Sequence, residues 1–313
     1  MKRNETTITE FILAGLSESP DLNIFLTVAF ILIYSITVLG NMSIIFAYKI
    51  SPDLHTPMYF LLANFSFLEI CYVSDTCPKL LSNSLAEHKS ISFYGCVSQM
   101  YFGLLFAGTE FYILATMAYD RYSAICQPLL YHVFMNRISC IQLISASWVI
   151  GAVNAVIHTA LTFTLPFCRS NNINHFFCDI PPLLKLACTD TSMNELSLFV
   201  ISGAVITGSF ILTMISYIHI IFTVLQIKSR VGRKKAFSTC TSHLIAVAIF
   251  YGSIFFVYLK PKSKYEVEQD RVVSVMYTVI APLLNPFIYS IRNDKMKGTL
   301  LKILQVIMPK MKC

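Results

Sequence analysis

Apolar residues fall along this chain in runs of twenty or more, set apart by short polar stretches. A helix of about 20 apolar residues crosses the ~30 Å hydrocarbon core of a bilayer. Seven such runs can be laid down, at about 24–48, 57–80, 91–122, 138–161, 196–227, 236–259 and 271–291. The pattern predicts an all-α membrane protein, a seven-transmembrane helix bundle over 24–291, with a polar tail at 1–23 and a second tail at 292–313. In the second tail, Lys295, Lys297 and Lys302 alternate with Met296, Leu300, Leu301, Ile303 and Leu304. That spacing predicts a short amphipathic eighth helix on the membrane surface, a frayed basic tail being the competing reading.

The third run organises the rest. From Cys96 to Arg121 a helix rising about 1.5 Å per residue covers roughly 37 Å, enough to reach both membrane faces. Glu110 then sits near the midplane, where an ionisable group is expensive and needs a partner or a task. Composition agrees: of 313 residues 55% are hydrophobic and 13% charged, against about 25% charged in soluble domains. The first run, from Ile24, is too long for a signal-peptide core and is expected to remain as a span.

Charge sets the expected orientation. Lys49, Arg121, Arg137, Lys228, Arg230, Arg233, Lys234, Lys235, Arg292, Lys295, Lys297, Lys302, Lys310 and Lys312 share one side with only Asp53, Asp120 and Asp294. By the positive-inside rule that side is cytoplasmic, so the N-terminus is outside and the C-terminus inside. The modest net charge of +7 lies at the ends of apolar runs and points to lipid rather than nucleic acid. The Lys228–Lys235 stretch suits acidic lipid or an acidic partner surface. Asn4-Glu5-Thr6 is a glycosylation sequon on the outer tail, whereas Asn64-Phe65-Ser66 lies inside a span.

The longest outer loop, about 162–195, holds Cys168, Cys178 and Cys188. With Cys96 they make four cysteines in the oxidising compartment, and two disulfides are expected. Three connectivities remain open, because spacing does not choose among them. Cys71, Cys77, Cys126, Cys140 and Cys240 are expected to stay reduced, and Cys313 is a weak palmitoylation candidate. His175 beside Cys178 is a poor metal site, since a disulfide removes the thiolate.

Seven spans fit a receptor, a transporter or a small enzyme, and the local motifs decide. Met117-Ala118-Tyr119-Asp120-Arg121-Tyr122 and Asn285-Pro286-Phe287-Ile288-Tyr289 resemble the third- and seventh-helix motifs of rhodopsin-like G-protein-coupled receptors. Gly40-Asn41 and Trp148 fit the same scheme. Pro57-Met58-Tyr59-Phe60-Leu61, the run from Lys235 to His243 (KAFSTCTSH) and Pro282 to Tyr289 resemble hallmark stretches of olfactory receptors, of the class II, tetrapod-type branch. The likeness covers about 4–305. One departure stands out: the family's second-span Asp is Glu69 here.

The resemblance implies an odorant receptor that raises cyclic AMP through a stimulatory, olfactory-type G protein. It makes Asp120, Arg121 and Tyr122 the switch, with Tyr217, His243 and Tyr289 as partners for Arg121, rather than an arginine snorkelling at the interface. It makes Glu69 and Glu110 a sodium site with Asn285 and Asn41 nearby, the bland alternative being protonated, hydrogen-bonded carboxyls. No other cofactor is expected. For the ligand, Gly103, Leu104, Ala107, Gly108 and Phe111 recur at helical spacing in the outer half of span three. The receptor scheme adds Ile201, Ser202 and Val205 on span five. It adds Tyr251, Ile254, Phe255 and Tyr258 on span six, and Val275 and Thr278 on span seven. That lining has hydroxyls but no fixed charge and suits a small neutral, semi-volatile molecule, with Tyr251 coupling cavity to helix motion. A metabolite receptor of the same fold would need a charged residue in that lining. A transporter would need internal repeats, which are not evident. No nucleophile–base arrangement points to an enzyme.

Overall fold

The computed structural model describes residues 8–15, 20–86, 88–168, 170–258, 271, 273–291 and 293–307. Three long helices come first: α1 (Pro20–Ile50), α2 (Pro57–Leu85) and α3 (Phe93–Cys126). A single turn, α4 (Tyr131–Phe134), leads into α5 (Arg137–Phe163). The long loop carries α6 (Ile180–Leu184). Next, α7 (Ser192–Ser197) runs through a π turn, Leu198–Ser202, into α8 (Gly203–Gln226). The rest is α9 (Arg230–Tyr258), a second π turn at Met276–Ile280, α10 (Ala281–Ile291) and α11 (Asp294–Ile307).

Six of the helical stretches are long and apolar enough to cross a membrane, and Cys240–Phe255 within α9 is a shorter apolar stretch. With α9 they make the expected seven-helix bundle. The eighth helix is α11, whose Met296 is fully buried while Leu301 stays about half exposed, as an amphipathic segment requires.

Burial ranks the helices. In α3, 61% of the apolar window is buried, against 17% in α1 and in the Ser192–Gln226 stretch. The third run is therefore the axis of the bundle, packed on α2, α5, α8 and α9, while the outer helices turn their apolar faces outward. Its first turn is capped by Ser92, which accepts a hydrogen bond from the Gly95 amide at 3.1 Å. Small residues bring α3 and α5 together: a Cβ on Gly108 would lie 3.0 Å from the Gly151 Cα, and one on Gly151 would lie 2.6 Å from the Leu105 carbonyl oxygen. Such close backbone approach is how helices associate where lipid removes the hydrophobic drive.

One end of the bundle carries strands that the hydrophobic pattern does not predict. β1 (Glu10–Leu13) lies between β2 (Ser90–Ser92), antiparallel to it, and β3 (Asn172–Ile173), parallel to it. Alternation in β1 turns Phe11 and Leu13 inward, both nearly inaccessible, and exposes Ile12. They join Ile91, Cys96, Met100, Ile173, Ile180 and Leu183 in an apolar cluster separate from the main helical core. Part of the expected polar tail is thus a structural strand.

Candidate functional site: a cavity and a switch on one helix

The two disulfides pair Cys96 with Cys178 and Cys168 with Cys188, at Cα separations of 5.5 and 5.7 Å. The first pins the long loop to the top of α3. Gln99, one turn on, reinforces it: its Oε1 accepts from the Cys178 amide at 3.0 Å, and its Nε2 donates to the Asp75 carbonyl oxygen at 3.2 Å. One side chain thereby bridges the loop and α2. His175, in the same loop, is buried, and burial together with the nearby Arg271 guanidinium lowers its pKa to about 4. Among the described residues no group of three metal-binding side chains occurs.

Beneath the loop lies a cavity of about 250 Å³. Gly103, Leu104, Ala107, Gly108 and Phe111 of α3 all line it, as do Ser202, Val205, Ile254 and Thr278. Four expected residues are elsewhere. Ile201 falls outside the lining because the π turn aims its neighbour Ser202 inward. Val275 packs in a cluster with Phe30 and Phe176, and Phe255 lies edge-on to Phe210 at 5.1 Å. Tyr251 stands behind the wall: its ring meets Phe111 at 5.6 Å and its hydroxyl donates to Ser209 Oγ at 2.8 Å. The side chain of Tyr258, like Asn4 and Cys313, lies outside the described residues.

The expectation of an uncharged lining is wrong. Asp75 of α2 and Asp179 of the loop both line the cavity, alongside Tyr72, Thr76, Gln99 and Tyr277. Asp179 also caps α6, accepting from the Ile180 amide at 2.8 Å. Phe177 and Ile180 close the mouth, and Phe250 lies deeper. The one sequence signal for Asp75 is an acid inside an apolar run, in Ser74-Asp75-Thr76. Its placement against the cavity comes from the α2–α3 crossing: a Cβ on Gly103 would touch Asp75 Oδ2 at 3.4 Å. Gly108 has a second task beside lining the cavity, since it also makes the α3–α5 contact described above.

Below the cavity are the two midplane carboxylates. Asn285 Nδ2 donates to Glu69 Oε1. Glu69 Oε2, both Glu110 oxygens and Asn41 Oδ1 are buried with no hydrogen-bond partner among the described residues. Asn41 is held by its amide nitrogen, which donates to Thr37 and Pro282 carbonyl oxygens at 3.0 and 3.3 Å. Unpartnered carboxyl and amide oxygens are the hard donors that a sodium ion takes, so these residue types fit one.

At the far end, Arg121 Nη1 sits 2.7 Å from Asp120 Oδ2, with both side chains buried. Tyr131 of α4 donates to Asp120 Oδ1 at 2.8 Å. The expected partners of Arg121 are arranged differently. His243 Nδ1 lies 2.6 Å from the Tyr217 hydroxyl, and its Nε2 lies 3.1 Å from the Leu114 carbonyl oxygen. Tyr289 is buried with its hydroxyl unpartnered among the described residues, and Tyr122 accepts from Gln127 at 3.1 Å. In this state Arg121 is bound by its neighbour Asp120. Tyr217 and Tyr289 stand within electrostatic reach of it without a hydrogen bond among the described residues.

Comparison with known proteins places this arrangement. A family model described as "Olfactory receptor" matches residues 30–306. Olfactory receptor 5AP2 is 51% identical in Mus musculus, over 96% of this chain and 95% of that protein, and 52% identical in Homo sapiens, over 96% of each. Olfactory receptor 5I1 of Homo sapiens is 50% identical over 97% of this chain and 96% of its own length. Among solved structures, squid rhodopsin superposes with a TM-score of 0.70 at 15% identity, over 93% of this chain and 87% of that one, a likeness of fold.

Proposed function

The chain belongs to the olfactory receptor family, and from that premise we propose that it is an odorant receptor in which α3 links a ligand cavity to a G-protein switch. The observation that carries this reading is that one helix bears both parts. Gly103 to Phe111 line the cavity, and Asp120 and Arg121 form the buried ion pair at the other end. A small organic molecule in the cavity bears on Phe111, which touches Phe250 and Tyr251 of α9 at 4.8 and 5.6 Å. Movement of α9 away from α3 breaks the His243 contact with Leu114 and opens the Arg121 end. Arg121 then exchanges Asp120 for a docking partner. A ligand drives this shift only by as much as it prefers the open state.

The orientation follows from the same reading. The Cys96 end, with both disulfides, faces the oxidising exterior, and the basic Arg121 end faces the cytosol. The partner there is a stimulatory, olfactory-type G protein whose output is cyclic AMP. A sodium ion held by Glu69, Glu110 and Asn285 would supply the positive charge that two buried carboxylates need and would favour the closed packing. Asp75 and Asp179 add two carboxyl groups to the lining from which a neutral ligand is expected.

The test is cyclic AMP in cells expressing this chain with an olfactory-type G protein, challenged with a broad odorant panel, beside Arg121→Ala. A dose-dependent signal in the wild type, lost in a variant that reaches the cell surface, is the expected result. A wild-type signal that survives in Arg121→Ala would overturn the assigned switch.

A further inference from the structure

Asp75 is the feature that the receptor reading leaves unused. Its carboxylate is half-buried on the cavity wall, over Gly103. Among the described residues nothing donates to it, and Arg121–Asp120 is the only ion pair, so Lys79 one turn along α2 does not neutralise it. The described lining holds Asp75 and Asp179 but no Lys, Arg or His. The surroundings of the carboxylate are fixed: Gln99 donates to the Asp75 carbonyl oxygen, and Cys96–Cys178 holds the loop above it. The aromatic residues Tyr72, Phe177 and Tyr277 line the same cavity.

A carboxylate withdrawn from water without a partner costs free energy, which a bound cation returns as a charge-assisted hydrogen bond. Aromatic faces add to the attraction for an ammonium group. From Gly103 down to Phe111 the cavity runs about 12 Å along α3, and its lower wall includes Phe111 and Phe250. We propose that the cavity selects a small protonated amine, with its ammonium group on Asp75 and its apolar body pointing down toward Phe111. This names the ligand class of the site assigned above and rests on that assignment.

Purified full-length receptor is tested by the shift of its thermal unfolding midpoint at neutral pH, which needs no G protein. The probes are primary amines, from butylamine to octylamine and 2-phenylethylamine, each beside the alcohol of the same carbon skeleton. The amines should stabilise the wild type at concentrations about tenfold or more below those of their alcohols. Asp75→Asn should erase that preference while moving the alcohols by less than about threefold. Amines no better than alcohols on the wild type would overturn the proposal, and this comparison stands even if Asp75→Asn does not fold. An amine preference that persists in Asp75→Asn would also overturn it. Amine binding without a cyclic AMP response would count against the proposed output alone. A neutral odorant that raises cyclic AMP while no amine binds would count against the amine alone.

Discussion

The two ends of the bundle are closed by different chemistry. At the Cys96 end the chain is tied covalently by two disulfides, sewn by a three-stranded sheet and filled by its own apolar cluster. At the Arg121 end the described residues also have an apolar cluster, around Ala118, Ile220, Val224 and Cys240, but its ties are reversible polar contacts: the Asp120–Arg121 pair, the Tyr131 hydroxyl and the Tyr217–His243–Leu114 chain. A fixed end can hold a cavity in shape, while a latched end can change partners. The difference assigns folding stability to one end and the conformational equilibrium to the other.

The largest test breaks the fixed end. Cys178→Ser opens an 82-residue link and Cys188→Ser a 20-residue one. Chain entropy gives these losses as about 4.5 and about 3.3 kcal/mol, upper bounds because the spans already restrict the unfolded chain. Surface expression and thermal midpoint should fall in both, further for Cys178→Ser. The reverse order would mean that the Cys168–Cys188 link, not the staple on α3, secures the loop.

Next comes the latch. Asp120→Asn removes a buried ion-pair partner, worth about 3 kcal/mol, from the closed state. Ligand-free cyclic AMP should rise several-fold, with expression near that of the wild type. A loss of expression without any rise in basal signal would make the pair a folding element like those at the other end.

His175 gives the fixed end a pH signature. Its pKa falls from 6.5 unfolded to about 4 folded, so the unfolded chain binds more protons between those values. Its contribution is therefore complete above pH 6.5 and is lost as pH drops toward 4, by up to about 3 kcal/mol. Thermal midpoints across that range should slope less steeply in His175→Phe than in the wild type. Equal slopes would show that His175 is not the group responsible.

The smallest effect belongs to Tyr131→Phe, which removes one hydrogen bond to the Asp120 carboxylate, about 1.5 kcal/mol. Basal signalling should rise less than in Asp120→Asn, and the double variant should add little. Full additivity of the two would mean that Tyr131 acts outside the latch.

Much of this was legible without coordinates. Run length determined seven spans, because only about 20 apolar residues bridge the bilayer and backbone groups within it must bond internally. The motifs from Met117 to Tyr122 and from Pro282 to Tyr289 fixed the family, and helical spacing put Gly103 to Phe111 on one face. The sheet was missed because β1 and β3 are four and two residues long, too short for alternation to register. Three further matters were decided only by tertiary structure. Which cysteines pair depends on a contact 82 residues apart in sequence. That Gly108 admits α5 as well as lining a cavity depends on the neighbour that Gly151 brings to it. That Asp75 faces a cavity, and not lipid or another helix, depends on how α2 crosses α3. In a membrane the apolar pattern cannot separate lipid, core and cavity, because all three accept the same side chains. Only the packing of one helix against the next makes them different places.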